Sequence, residues 1–312
     1  MKRLRPAALL LAAVIAAAVV FLILRESGPD DATQLEERLV FVSEFRDIYA
    51  VSPDGSNLAR ITLPDVLEKR EARISPDGTR IAFVGAPGGD GGHIYVIDAD
   101  GDNRTRLTGN DGIQLEPAWS PDGKKIAYVE YDAAGSDSNI YIMNSDGSAK
   151  TQLTNYEVPD DAPSWSPDGR RIAFRRALTT PSMERGRFTE SEIFIINADG
   201  SGETRVTFNE SPDFGPHWSP NGKQLAFESN GEVWVIDLTT GDGRQLTANV
   251  WPDYPPVWSP DGTRLAFVAW REHNSMAVYL MNADGSGETR LASTLLPVLG
   301  CCVDWGVLVV PK

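Results

Sequence analysis

The phrase Trp-Ser-Pro-Asp-Gly recurs along this chain and restricts it to a small set of folds. It stands at Trp119 to Gly123, Trp165 to Gly169 and Trp258 to Gly262, with the variants Ile74 to Gly78 and Trp218 to Gly222. Two residues after each copy comes an apolar triplet: Ile81-Ala82-Phe83, Ile126-Ala127-Tyr128, Ile172-Ala173-Phe174, Leu225-Ala226-Phe227 and Leu265-Ala266-Phe267. A third strand-like run follows, then a turn such as Asn197-Ala198-Asp199-Gly200, then a short segment closing on Leu-Thr. One unit is four short strands, and the steps from Ile74 to Trp119, Trp165, Trp218 and Trp258 are 45, 46, 53 and 40 residues. A unit of that size cannot bury both its faces alone, so copies must stack or close into a ring.

The turn chemistry is self-explanatory. Pro supplies a fixed φ, Asp bonds its own backbone and Gly accepts positive φ, so each Ser-Pro-Asp-Gly joins strands one and two while each Asn-Ala-Asp-Gly joins strands three and four. Antiparallel strands return the chain each time, which puts both turn types on one face of the disc. The opposite face then carries the connections of variable length, from Glu228 to Glu232 in one unit and from Arg175 to Glu192 in another. Counting Leu39-Val40-Phe41-Val42 with the five triplets gives six second strands. The first unit lacks a Trp strand of its own, and a solitary Val303-Asp304-Trp305 stands at the far end. The sequence therefore predicts an all-β, six-bladed β-propeller over residues 39–312 in which the C-terminal strand completes the first blade and closes the ring.

Ala7 to Leu24 is an uninterrupted apolar run behind Lys2, Arg3 and Arg5, long enough to span a bilayer as a helix. Residues 1–25 are read as a signal anchor, one N-terminal transmembrane helix with its N-terminus inside; a cleaved signal peptide, leaving a secreted or periplasmic protein, is the alternative. Residues 26–38 read as a spacer. The propeller is thereby placed outside the cytoplasm at the cell membrane. The net charge of −15 excludes nucleic acid as a partner and favours a cationic one.

Five residues before each inner-strand Trp stand Gln114, Asp160, Asp213 and Asp253. Equal spacing in a ring predicts that they meet at one channel mouth, where Asp160, Asp213 and Asp253 could hold Ca²⁺ as the single candidate cofactor. Each Asp capping its own turn is the competing expectation. Tyr156, Phe214, Trp251, Tyr254 and Trp270 are placed on the same face, as aromatic partners for a peptide or sugar. The long 175–192 connection, with Arg185 and Arg187, is a candidate partner-specific loop. Adjacent Cys301 and Cys302 are a candidate vicinal disulfide in an exported protein. His93, His217 and His273 fall in different units, and no Gly-x-Ser-x-Gly elbow occurs, so neither triad nor zinc chemistry is indicated.

The repeats resemble the WD40-like (PD40) repeats of TolB-like proteins and of the propellers of prolyl oligopeptidase and tricorn-type proteases. The resemblance runs from Leu39 to Trp305 and covers the propeller alone, without the α/β domain that precedes it in TolB-like proteins. It implies a non-enzymatic scaffold in the cell envelope that binds a protein, peptide or glycan. The alternative is a metal-dependent propeller hydrolase or lyase with a carboxylate site at the channel mouth.

Overall fold

The computed structural model describes residues 33–311 except the loop segments 44–45, 63–66, 88–90, 110–111, 133–136, 179–189, 272–275 and 292–297. The apolar run at 7–24, the start of the spacer, and Arg185 and Arg187 lie outside the described residues. The described chain is all β, in six four-stranded antiparallel sheets with no helix. Each sheet is one blade. In blades two to six the chain runs straight outward through its four strands, starting from Leu67–Ile74, Gln114–Trp119, Asp160–Trp165, Asp213–Trp218 and Val257–Trp258. Blade one is assembled from both ends: Val298–Pro311 lies innermost, beside Thr33–Ser43, followed by Ile48–Val51 and Ala59–Arg60.

In that first blade Leu39 stands opposite Trp305 and Val40 opposite Asp304, and the pairing continues to Thr33 opposite Pro311. The strand thus begins inside the segment read as a spacer. Thr33 to Arg38 has no strand-like pattern of its own, but the Gly306-to-Pro311 tail offers it a full ladder partner, and tertiary pairing overrides weak propensity.

The repeated triplets form the blade cores. Their aromatic residue points inward and is crossed by an aromatic on strand three: Phe41 with Tyr49, Phe83 with Tyr95, Tyr128 with Tyr141, Phe174 with Phe194 and Phe267 with Tyr279, at 5.6–6.0 Å between ring centres. These are directly opposed cross-strand pairs, the strongest unit of sheet stabilisation. Between neighbouring blades lies a buried apolar cluster, and all six interfaces have one. The cluster joining blade six to blade one packs Val257, Val268 and Leu280 against Leu39, Phe41 and Trp305. Burying each large aliphatic or aromatic side chain contributes roughly 1.5–3 kcal/mol.

The turns form as their residues dictate. Gly78 donates to the Ser75 carbonyl at 2.8 Å with φ of +71°, while Asp77 accepts from the Ser75 hydroxyl and the Thr79 backbone. A side chain at Gly78 would also run into the Val307 carbonyl, because the C-terminal strand crosses this turn.

A second repeated device fastens strands three and four. In five blades a Thr that follows Leu, Ile or Val after strand four accepts the backbone N–H at the start of strand three: Thr62 from Ile48, Thr108 from Ile94, Thr154 from Ile140, Thr207 from Ile193 and Thr247 from Val233, at 2.9–3.0 Å.

Candidate functional site

The inner strands do not keep a simple alternation. Four of them break register three residues before the Trp position, between Arg70 and Arg73, Leu115 and Ala118, Asp161 and Ser164, and Phe214 and His217. At each break one residue takes positive φ: Glu71, Glu116, Ala162 and Gly215. Pro117, Pro163 and Pro216 follow in three of the four, removing the N–H that a regular ladder would need. The bulge turns the residues at this level, and those flanking it, towards the axis.

They line a central cavity of about 1120 Å³ that takes in residues from the turn face, such as Pro76 and Pro260, as well as the variable face, such as Asn230 and Trp251. Both halves of its wall mix charge with ring surface. Blades two to four and the C-terminal strand contribute Arg73, Glu116, Asp161, Arg175 and Asp304 beside Trp119 and Trp165; blades five and six contribute Phe214, Trp251, Tyr254 and Pro255 beside Glu228, Glu232 and Asp253. Gly215 belongs to the second half, where the Pro255 ring lies so close that a Cβ would meet it at 2.4 Å.

Across blades two to four, carboxylates form a relay from one blade to the next. Glu71 accepts the Glu116 backbone N–H at 2.6 Å, and Glu116 accepts that of Ala162 at 2.5 Å. Asp304 accepts the Ile74 N–H at 2.7 Å. Asp161 is held by Arg175, whose guanidinium also lies 4.9 Å from the centre of the Phe214 ring, bridging the two halves. Burial pushes Glu116 up to about 8, with the charges of Asp161 and Glu71 adding to it. Burial also raises Glu71 and Asp304. His217 is held down at about 4 by burial and by Arg73, and its Nδ1 accepts the Trp258 N–H at 3.4 Å.

Of the acids singled out in the sequence, Asp253 lies on the cavity lining and Asp160 and Asp213 do not. Asp160 is fully buried and clamped by Arg176 through two bonds of 2.7 and 2.8 Å. Asp253 is paired with Arg271 at 2.6 Å, and Asp213 accepts from Asn209 at 2.9 Å. Each also meets the Thr of the preceding blade, Thr154, Thr247 and Thr207 respectively. Gln114 is hydrogen-bonded to His93 of the preceding blade at 2.9 Å. The ring five residues before the Trp is therefore a set of joints between blades. It does not converge on a cation, and among the described residues no group of three or more His, Cys, Asp or Glu is arranged to hold a metal.

Of the aromatic candidates, Phe214, Trp251 and Tyr254 line the cavity. Tyr156 stands outside it, stacked on Arg176, and Trp270 closes the second strand of blade six. Cys302 lines the cavity and is disulfide-bonded; the chain has one other cysteine, Cys301. The cavity acids Glu116, Asp161 and Asp304 were not reached from spacing; Glu116 stands at the bulge, two residues beyond Gln114.

Residues 78–232 match the family model of PD40, the TolB beta propeller domain. The repeats within that span are PD40 repeats. A 54-residue stretch is 39% identical to dipeptidyl-peptidase 5 of Porphyromonas gingivalis, spanning 17% of this chain and only 8% of that protein. In fold the chain is similar to TolB from Acinetobacter baumannii, with a TM-score of 0.68 and 22% identity over 96% of this chain and 71% of that one. A puromycin-hydrolyzing peptidase of Mycobacterium tuberculosis matches with a TM-score of 0.58 and 17% identity, over 83% of this chain and 44% of the other. At these identities the structural matches speak to the fold.

Proposed function

We propose that this PD40 propeller is a non-enzymatic binding scaffold whose channel takes a polypeptide segment from a protein or peptide of the cell envelope. The observation that carries this reading is the mixed wall: Glu116, Asp161 and Asp253 line the same cavity as Phe214, Tyr254 and Pro255. A Lys or Arg side chain entering there would meet acidic groups and ring faces, and its charge would favour loss of the proton that burial keeps on Glu116. Carboxylates held by backbone N–H groups are already oriented, so little reorganisation opposes binding.

The same reading takes residues 7–24 as a membrane tether and the propeller as extracytoplasmic, supported by the apolar run and its basic flank. Thr33 lies on the turn face, where Val309 of its partner strand donates to Gly78 at 2.9 Å. A tether leaving from Thr33 would leave the variable face pointing away from the bilayer. Partition of the full chain into the carbonate-washed membrane pellet is the expected result.

Calorimetric titration of the chain with otherwise identical peptides carrying Lys, Leu or Glu at one central position tests the channel. The Lys peptide is expected to bind best and to lose affinity in Glu116→Gln. Equal affinity for all three, or preference for an oligosaccharide, would overturn it. A second reading, service to peptide hydrolysis, is favoured by the stretch shared with dipeptidyl-peptidase 5. Turnover of a dipeptidyl p-nitroanilide by the purified chain would decide for it.

A further inference from the structure

Six large apolar side chains are exposed among the described residues, and four of them sit on three successive connections of the variable face: Tyr156, Phe208, Val250 and Trp251. These connections lead from blade three to four, four to five, and five to six. Val250 is 92% exposed, Phe208 74% and Trp251 54%, values that water alone does not favour for a cluster on one arc.

Each connection is braced in the same way. Arg176 lies 3.5 Å from the centre of the Tyr156 ring and is itself clamped by Asp160. Arg205 lies 4.8 Å from the Phe208 ring and reaches the buried Glu192 at 2.6 Å. Arg271 donates to the Trp251 carbonyl at 3.2 Å and is held by Asp253. A polar side chain near the start of strand three fastens each loop backbone as well: Asn139 accepts the Tyr156 N–H, Glu192 that of Asn209 and Glu232 that of Asn249. The apolar groups are presented on fixed loops, which lowers the ordering cost of a contact made through them.

The geometry points to this arc, which meets the channel rim at Val250 and Trp251 and continues away from it through Phe208 and Tyr156, as a docking surface for a second protein whose contact patch is apolar at its centre and basic at its rim. The charge decides the occupant. The three arginines are met by Asp160, Glu203, Glu192, Asp253 and Glu288, so acids outnumber bases even before the exposed Glu157 and Glu210 are added. A second copy of this chain, at −15, or an anionic bilayer would be repelled. Apolar anchors within a charged rim are the usual anatomy of a protein–protein contact.

The test uses two fluorescent amphipathic peptides with one shared Leu/Trp face and either Lys or Glu on the other, titrated into the full chain by anisotropy. The Lys peptide is expected to bind at least about tenfold tighter than the Glu peptide, and to lose about tenfold in the triple variant Tyr156→Ser, Phe208→Ser, Trp251→Ser. Thermal denaturation of the variant checks that it folds. Phe208→Ser alone, at a residue that does not line the cavity, should give a smaller loss in the same direction, while Leu35→Ser, an exposed apolar residue away from the arc, should leave binding unchanged. Binding that survives the triple variant overturns the proposal, as does equal affinity for the Glu peptide. Loss of binding in Glu116→Gln alone would assign the probe to the channel instead, and a dimer abolished by the triple variant would make the partner a second copy.

Discussion

Glu71 holds the backbone N–H of Glu116 at 2.6 Å across the boundary between blades two and three, and Glu116 holds Ala162 in the same way one blade further on. A carboxylate that fastens one blade to the next while facing the channel links the stability of the ring to its protonation.

That link has a sign. The ordinary Glu value is 4.5 and burial, with Asp161 and Glu71, raises Glu116 to about 8. Between those values the folded protein keeps a proton that the unfolded chain has lost, so stability falls as pH rises through the window and levels off above it. Below pH 4.5 both states are protonated and the penalty vanishes. Glu116→Gln is expected to flatten this slope, so that the variant gains on the parent protein between pH 5 and pH 8 in thermal denaturation. Parallel curves would refute it.

Asp160 and Arg176 form a buried pair with two short contacts, and Arg176 reaches on to Glu203 and Tyr156. Removing one member leaves the other charge stranded away from water. Arg176→Met is expected to cost about 3–5 kcal/mol by urea denaturation, and Arg176→Lys to recover little because an ammonium cannot reproduce the two-pronged contact. Ca²⁺ or a chelator should leave the melting temperature of the parent protein unchanged, since this carboxylate is already occupied; a Ca²⁺-dependent shift would restore a metal role to the Asp ring.

Thr207 accepts from the Ile193 backbone at 2.9 Å and also meets Asp213 of the next blade. Thr207→Val keeps the shape and removes both links, leaving a buried N–H without a partner. The expected cost is about 1–3 kcal/mol, with Thr207→Ser close to the parent. Loss of amide protection should concentrate at Ile193, measured by hydrogen exchange.

The blades were legible in the sequence because every repeated phrase answers a local demand: Asp77 and Gly78 make their turn, and Phe83 has Tyr95 opposite it whatever lies beyond the blade. The channel wall was not, since alternation along a strand predicts which side chains share a face only while register holds. The bulges at Glu116, Ala162 and Gly215 break it, so Asp160 and Asp213, regular in spacing, lie at blade joints, while Glu116 and Asp161 line the channel. The mark of this in the sequence is the Pro two positions before Trp119, Trp165 and Trp218, a residue that strands admit only at a sheet edge or a bulge. Spacing also gives no account of Arg176 or Arg271, because their value comes from partners on other strands.

The join between the ends of the chain rests on Trp305. It is 6% exposed, stands opposite Leu39, packs with the blade-six residues Val257 and Val268, and donates its indole N–H to Glu37 at 2.6 Å. Trp305→Ala removes a large group at the meeting of blades six and one, where a cavity and a lost hydrogen bond add, and about 3–5 kcal/mol is the expected cost. Because the first blade is made from both ends, the loss should not stay local: amides of Leu39 to Val42 should exchange at the same rate as those of the last blade, Leu265 to Val268. If instead Leu39 to Val42 alone lost protection while blade six kept it, the terminal strand would be an ornament of the first blade and not the element that couples it to the sixth.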